Sequence, residues 1–212
     1  MNVHIVDYGV GNLHSMVRAV EASGGSPVLV TDADAVLQAE KLILPGVGAF
    51  EPCARQLRAS GMWDAVKAYA QTGRPFVGVC VGMQLLFDES LEFGRHEGLG
   101  LIGGQVAQIP SEDAAGARKV PHIGWRPLAR AAQVKDWSGT LLEGLTPDRS
   151  SAYFVHSYSC VAADDADRLC DVDYLGFRVS AAVRRGNVSG FQFHPEKSGP
   201  VGLTIMRNLV RA

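Results

Sequence analysis

Short β-branched runs alternate with amphipathic stretches through the first half of the chain, a pattern that predicts an α/β fold built on a mostly parallel sheet. Val3 to Asp7 reads as the first strand, after which Leu13, Met16, Val17 and Val20 recur at helical spacing. Gly24-Gly25 turns the chain into a second strand, Pro27 to Thr31, and Lys41 to Leu44 forms a third that ends at Pro45-Gly46-Val47-Gly48. Helical patterns over Phe50 to Arg58 and Met62 to Gln71 lead to a fourth strand, Pro75 to Val79. Beyond Gly98 the pattern turns β-rich, with strands expected at Leu101 to Ile109, Ala152 to Ser157, Tyr174 to Val179, Ala181 to Arg184 and Val188 to Phe193. Arg185-Gly186-Asn187 fits a hairpin turn between the last two, the polar stretch Ser111 to Arg118 reads as a loop, and a closing helix runs from about Val201 to Leu209. The expectation is one domain over residues 1–212: an open, mostly parallel central sheet flanked by helices, with additional antiparallel strands in the C-terminal half.

Composition narrows the function classes. A chain of 212 residues that is 47% hydrophobic can bury a substantial core. The formal net charge is −2 and the Lys and Arg residues are scattered, so the basic stripe that nucleic-acid binding needs is missing. Met1-Asn2-Val3-His4-Ile5-Val6-Asp7 has no cationic lead and puts an acid where a signal peptide would be apolar. The longest apolar stretch, Phe76 to Phe87, is too short to span a bilayer and contains Gln84. Cys53, Cys80, Cys160 and Cys170 form no C-x-x-C pair and no zinc-type spacing with the histidines, so no metal, redox dithiol or other cofactor is expected. Cys160 and Cys170 could pair in a secreted protein, but nothing else points to an oxidising compartment, and a cytoplasmic enzyme with reduced thiols is expected.

The candidate chemistry centres on Cys80. Phe76-Val77-Gly78-Val79-Cys80-Val81-Gly82-Met83-Gln84 is an apolar strand run broken by glycines two residues either side of a thiol. This is the cysteine version of the G-x-S-x-G elbow, a tight turn that pushes a nucleophile out at the end of a sheet. Gly78 and Gly82 fit because the two arms of such a turn approach too closely for a Cβ, and the N–H of Val81 would face an oxyanion. The alternative is a buried core cysteine, the usual fate of cysteine in an apolar stretch.

A catalytic thiol needs a basic or cationic neighbour, since a free cysteine has a pKa of about 8.5. Among His4, His14, His96, His122, His156 and His194, the last ends an apolar strand in Phe191-Gln192-Phe193-His194-Pro195-Glu196-Lys197. Strand ends are where catalytic groups collect in open α/β sheets. With His194 and Pro195 both extended, the His194 and Glu196 side chains emerge close together, and the carboxylate can orient the imidazole. Pro45-Gly46-Val47-Gly48 can supply a second oxyanion donor from Val47 or Gly48. It lacks the third glycine of a dinucleotide fingerprint and any Gly-Lys-Ser/Thr ending, as does Gly9-Val10-Gly11, which is left to structure or a partner surface.

Gly78-Val79-Cys80-Val81-Gly82-Met83-Gln84, Phe193-His194-Pro195-Glu196-Lys197 and Pro45-Gly46-Val47-Gly48 together resemble the class I glutamine amidotransferases. Asp7-Tyr8-Gly9-Val10-Gly11-Asn12, Pro121-His122-Ile123-Gly124-Trp125 and Tyr153-Phe154-Val155-His156-Ser157-Tyr158 are similar to the glutaminase subunits of imidazole glycerol phosphate synthase, over essentially the whole chain. The resemblance implies a flavodoxin-like sheet and a Cys80–His194–Glu196 triad that hydrolyses glutamine. It implies ammonia transfer within a heterodimer to a (β/α)8 cyclase subunit, for histidine biosynthesis. By position, Gln84 and Glu92 would hold the glutamine, Ser157 and Tyr158 would give backbone contacts to it, and Asn12, Trp125 and Lys197 would face the cyclase. Read from the residues alone, Trp125 is a core aromatic and Lys197 a solvated charge. Val81 replaces the family's usual Leu, a change of little consequence where only the backbone N–H is used. An amidotransferase feeding another synthase, and a binding subunit without activity, are the alternatives.

Overall fold

The computed structural model describes residues 1–113 and 116–212. Its first half alternates β1 (Asn2–Val6), α1 (Leu13–Ala22), β2 (Ser26–Val30), α2 (Ala33–Gln38), β3 (Leu42–Leu44), α3 (Phe50–Ala59), α4 (Trp63–Ala70) and β4 (Phe76–Val79). A short α5 (Val81–Leu85) follows β4 directly. Next come β5 (Phe87–Ser90), β6 (His96–Glu97), β7 (Ile102–Gln108), β8 (Glu112–Asp113), β9 (Gly116–Ala117), β10 (His122–Pro127) and β11 (Ala129–Arg130). The chain ends with β12 (Ser151–His156), β13 (Tyr158–Ala162), β14 (Arg168–Tyr174), β15 (Phe177–Arg185), β16 (Val188–Phe191) and α6 (Gly199–Arg211).

Eight strands form the central sheet in the order β11-β14-β15-β16-β4-β3-β1-β2. The five from β16 to β2 run parallel, and β11, β14 and β15 extend the sheet antiparallel. Every residue of β3, β4 and β16 is buried, as strands covered on both faces by helices must be. β2, on the edge, leaves Val28 and Leu29 exposed. Because β3, β4 and β16 are adjacent and parallel, the turns that leave their C-terminal ends meet at one place. Those turns carry Gly46, Cys80 and His194.

The expected run Tyr174 to Val179 is two strands. Tyr174 ends β14, Leu175 and Gly176 turn with φ of +52° and +82°, and Phe177 opens β15 opposite Tyr174. Two successive residues with positive φ make the tight turn whose twist matches a hairpin. β15 then continues through Ser180, so the expected break before Ala181 is absent; the serine is buried inside the sheet. The Gly186-Asn187 turn is formed as expected, with Arg185 opposite Val188. β14 escaped the pattern because it carries Arg168, Asp171 and Asp173, of which Arg168 and Asp171 neutralise each other inside the fold. The Ser111 to Arg118 stretch holds the two-residue strands β8 and β9, paired antiparallel; residues 114–115 lie outside the described residues. Among the described residues no helix is long and apolar enough to cross a membrane.

Candidate active site

Cys80 occupies a strained backbone, with φ of +57° and ψ of −113°. For a non-glycine residue such a conformation costs of order 1–3 kcal/mol and persists only where its surroundings enforce it. Here the Cys80 N–H donates to the Phe191 carbonyl at 2.7 Å and the Cys80 carbonyl accepts from Gln84 N–H at 3.2 Å, so the elbow is fastened to β16 and to its own helix. The flanking glycines are steric necessities. A Cβ on Gly82 would lie 1.9 Å from the Leu44 carbonyl oxygen, and one on Gly78 would lie 2.5 Å from the Gly82 oxygen.

His194 stands beside this turn. Its Nδ1–H donates to Glu196 Oε1 at 2.8 Å, and the Glu196 side chain is only 2% exposed. The imidazole also faces the Cys80 thiol across the cavity that both line. Burial by itself pulls the His194 pKa down, but its interactions with Cys80 and Glu196 outweigh it and raise the value to about 10. The expected extended path through Pro195 is not followed. His194 is extended, but Pro195–Lys197 form a 3-10 turn that opens on proline, where no N–H is needed. The Ser198 hydroxyl donates to the His194 carbonyl at 2.7 Å and accepts from Tyr153 N–H at 3.0 Å, which fixes the turn to β12. The other three thiols are free and buried, and burial raises their pKa, for Cys53 to about 11.

Cys80 and His194 open into a cavity of about 440 Å³ that also reaches Val47, Gly48, Val81, Gln84, Glu92, Ser157, Tyr158 and Lys197. Thus the sequence-derived oxyanion and substrate residues share one space, with Lys197 at it and Asn12 and Trp125 outside. Gln84 Nε2 donates to the Tyr158 carbonyl at 3.3 Å and to Gln192 Oε1 at 3.2 Å. Glu92 Oε2 accepts from Phe50 N–H at 2.6 Å, capping α3, whose preceding residue Ala49 has no side-chain acceptor.

Two further histidines support this wall, and sequence reasoning gave neither a role. His156 Nδ1–H donates to the Tyr158 carbonyl at 2.7 Å, which leaves its Nε2 to accept from His122 Nδ1–H at 2.9 Å. His122 is stacked between Phe154 and Tyr174. The available signal was strand alternation, which puts His122 and His156 opposite each other on the inner face of the β10–β12 ribbon. Burial lowers the pKa of His122 to about 3 and of His156 to about 4, so both are neutral in the fold yet take up protons near 6.5 when unfolded. Their contribution to stability is therefore complete above pH 6.5 and is lost as pH falls below it. His122→Phe keeps the stacking and removes one of the two sites. The slope of unfolding free energy against pH between 6.5 and 4 is expected to become shallower by up to about 1.4 kcal/mol per pH unit, read from urea midpoints.

The Pro45–Gly48 turn closes onto the elbow. Val81 N–H donates to the Gly46 carbonyl at 3.3 Å. Gly46 C=O and Val47 N–H belong to one trans peptide and point in opposite directions, so the Val47 N–H faces away from Val81.

The class I glutamine amidotransferase family model matches residues 4–212. The chain belongs to this family. Among the relatives of this amidotransferase, imidazole glycerol phosphate synthase subunit HisH 1 of Legionella pneumophila (strain Lens) is 44% identical over 99% of each chain. Subunit HisH of Rhodospirillum rubrum is 46% identical, covering 100% of this chain and 99% of its own. Among solved structures, PurLQS from Thermotoga maritima superposes with a TM-score of 0.74 at 21% identity, covering 99% and 97% of the two chains. A crystal structure of glutamine amidotransferase gives 0.73 at 18% identity over 99% of each. These structures bear on the fold alone, and they agree with the mixed α/β sheet.

Beside its cavity the amidotransferase displays an apolar face. Ile123 and Trp125 on β10 lie opposite Val155 and Tyr153 on β12, with Trp125 half exposed. The core reading of Trp125 is thereby excluded, while Lys197 is exposed at the cavity mouth. Asn12 caps α1, its Oδ1 accepting from Ser15 N–H at 3.4 Å, and α1 packs on the turn that holds Glu196 and Lys197.

Proposed function

We propose that this chain is the glutaminase subunit of an imidazole glycerol phosphate synthase. It hydrolyses glutamine at Cys80 and delivers the ammonia to a separate (β/α)8 cyclase subunit. The observation that carries the chemistry is the strained Cys80 elbow sharing a cavity with an imidazole that Glu196 holds. The identity to HisH subunits over nearly the full length supports the pathway, in which the partner makes imidazole glycerol phosphate and an aminoimidazole carboxamide ribotide for histidine biosynthesis.

In this reading the Cys80 sulfur attacks the side-chain carboxamide carbon of glutamine, and the carbonyl π electrons move onto oxygen. His194, carrying the sulfur's proton, protonates the amide nitrogen as the C–N bond breaks, so ammonia leaves and a γ-glutamyl thioester remains. Water then attacks the thioester while His194 accepts its proton. The C–S bond breaks, glutamate departs, and the proton returns to the Cys80–His194 pair. In this reading Glu92 meets the substrate ammonium and Gln84 with the Ser157-Tyr158 backbone holds the amino-acid end; all four residues line the cavity.

The intermediate needs two donors, and Val81 N–H is engaged by Gly46. A half-turn of the single Gly46–Val47 peptide plane removes that carbonyl and presents the Val47 N–H in its place. We assign this rotation to docking of the cyclase with its ligand on the face formed by the Asn12 loop, Trp125 and Lys197. The experiment is to measure glutamine hydrolysis by the purified subunit alone and with a ligand-loaded cyclase. Equal rates would remove the partner-controlled turn from the reading, and no glutamine-dependent cyclase product would assign the subunit to another synthase.

A further inference from the structure

Resting on the partner-controlled turn just described, we propose that Tyr8 is the positioning residue that carries the state of the Asp7–Asn12 loop to the oxyanion turn. Tyr8 follows β1 and is buried beneath that loop, and its hydroxyl donates to the Pro45 carbonyl at 2.6 Å. Gly11, at the far end of the loop, closes on the same proline: a Cβ there would stand 3.2 Å from Pro45 Cβ. The loop therefore touches the residue before the turn through one strong hydrogen bond and one steric contact.

The other side of the turn is anchored too. Cys53, fully buried on α3, donates its S–H to the Val47 carbonyl at 3.3 Å. Pro45 C=O belongs to the peptide before Gly46, and Val47 C=O to the peptide after Val47. Both planes flanking Gly46–Val47 are thus held from outside the cavity, while the plane between them is held at its Gly46 carbonyl by the Val81 N–H at 3.3 Å. Its rotation needs only the ψ of Gly46 and the φ of Val47. Gly46 suits this because a side chain would collide with Gly82 N at 2.7 Å. The Val47 side chain is 39% exposed and has room to move.

The loop itself is stiff. Asp7 N–H donates to the Val30 carbonyl at 2.8 Å, Gly9 N–H to Asp7 Oδ1 at 3.2 Å, and Asn12 is fixed as the cap of α1. Movement of such a loop displaces Tyr8 rather than being absorbed within it. A displacement of Tyr8 shifts the Pro45–Gly46 plane and so alters the balance between the two orientations of the next plane. Burial also raises the phenol pKa, so the hydroxyl stays a donor throughout the working pH range.

The test uses the full chain with a ligand-loaded cyclase. Tyr8→Phe keeps the ring and removes the hydroxyl, and Gly11→Ala pushes on Pro45 from the other contact. In each, kcat for glutamine with the partner is expected to lose most of the roughly 10²-fold stimulation that one oxyanion donor supplies. KM for glutamine should not move, since Tyr8 and Gly11 do not line the cavity. Alkylation of Cys80 by iodoacetamide, a displacement at saturated carbon that needs no oxyanion hole, should also be unchanged. Wild-type stimulation retained in both variants overturns the role of Tyr8. A wild-type subunit that the partner does not stimulate overturns instead the reading on which this role rests.

Discussion

Cys80→Ala is expected to lower glutamine hydrolysis by at least about 10⁴-fold while the subunit still folds and docks its partner. The size follows from the chemistry. Without the sulfur no thioester forms, and the groups proposed to hold glutamine can only bind it for attack by water. The fold is spared because alanine meets the same positive φ as cysteine, and because the elbow is held by the Cys80 N–H to Phe191 and the glycine contacts rather than by the thiol. The assay is glutamate release under saturating glutamine, paired with a partner-binding measurement. Hydrolysis near the wild-type rate would sink the triad, whereas lost docking would mean that the thiol has a structural role as well. A glutamine-mimicking electrophile should label wild type at Cys80 and leave this variant untouched.

Addition of a ligand-loaded cyclase is expected to raise kcat by about 10²- to 10³-fold with little change in KM, the range attached to a single oxyanion-hole donor. In the free subunit the Val81 N–H is spent on Gly46 and the Val47 N–H points away, whereas Cys80, His194 and Glu196 are already assembled. The residues proposed to bind glutamine likewise already line the cavity, which is why the effect is expected on kcat. A 10²-fold effect requires the partner to favour the rotated peptide by about 2.7 kcal/mol. The Val81 to Gly46 hydrogen bond that opposes it is worth about 1 kcal/mol net. Stimulation expressed wholly in KM would show that the partner completes the glutamine pocket instead.

Much of this was open to reading from local pattern. Leu42 to Leu44 and Phe76 to Val79 are unbroken apolar runs because both faces of those strands are covered, so both were legible as strands. Gly78 and Gly82 flag the elbow because a close approach leaves a glycine in sequence. Strands with buried polar partners were hidden: Arg168 and Asp171 neutralise each other across β14, and neither residue says so alone. The hairpin at Leu175-Gly176 was missed because Leu is an unusual residue at positive φ. His122 and His156 sit 34 residues apart, and only the pairing of β10 with β12 makes them partners.

The sequence by itself was enough to place the strands and helices from β1 to β4 other than α2, and to single out Cys80, His194 and Glu196 as candidates, since each depends on spacing along a few neighbouring residues. The tertiary structure decided three matters. It brought the ends of β3, β4 and β16 together, which turns separate motifs into one site. It gave His194 its raised pKa, which arises from groups 114 residues away and 2 residues away acting on one ring. It also set which way the Gly46–Val47 peptide points, because a peptide plane between two pinned neighbours takes its orientation from Tyr8, Cys53 and Val81, none of which adjoins it in the chain.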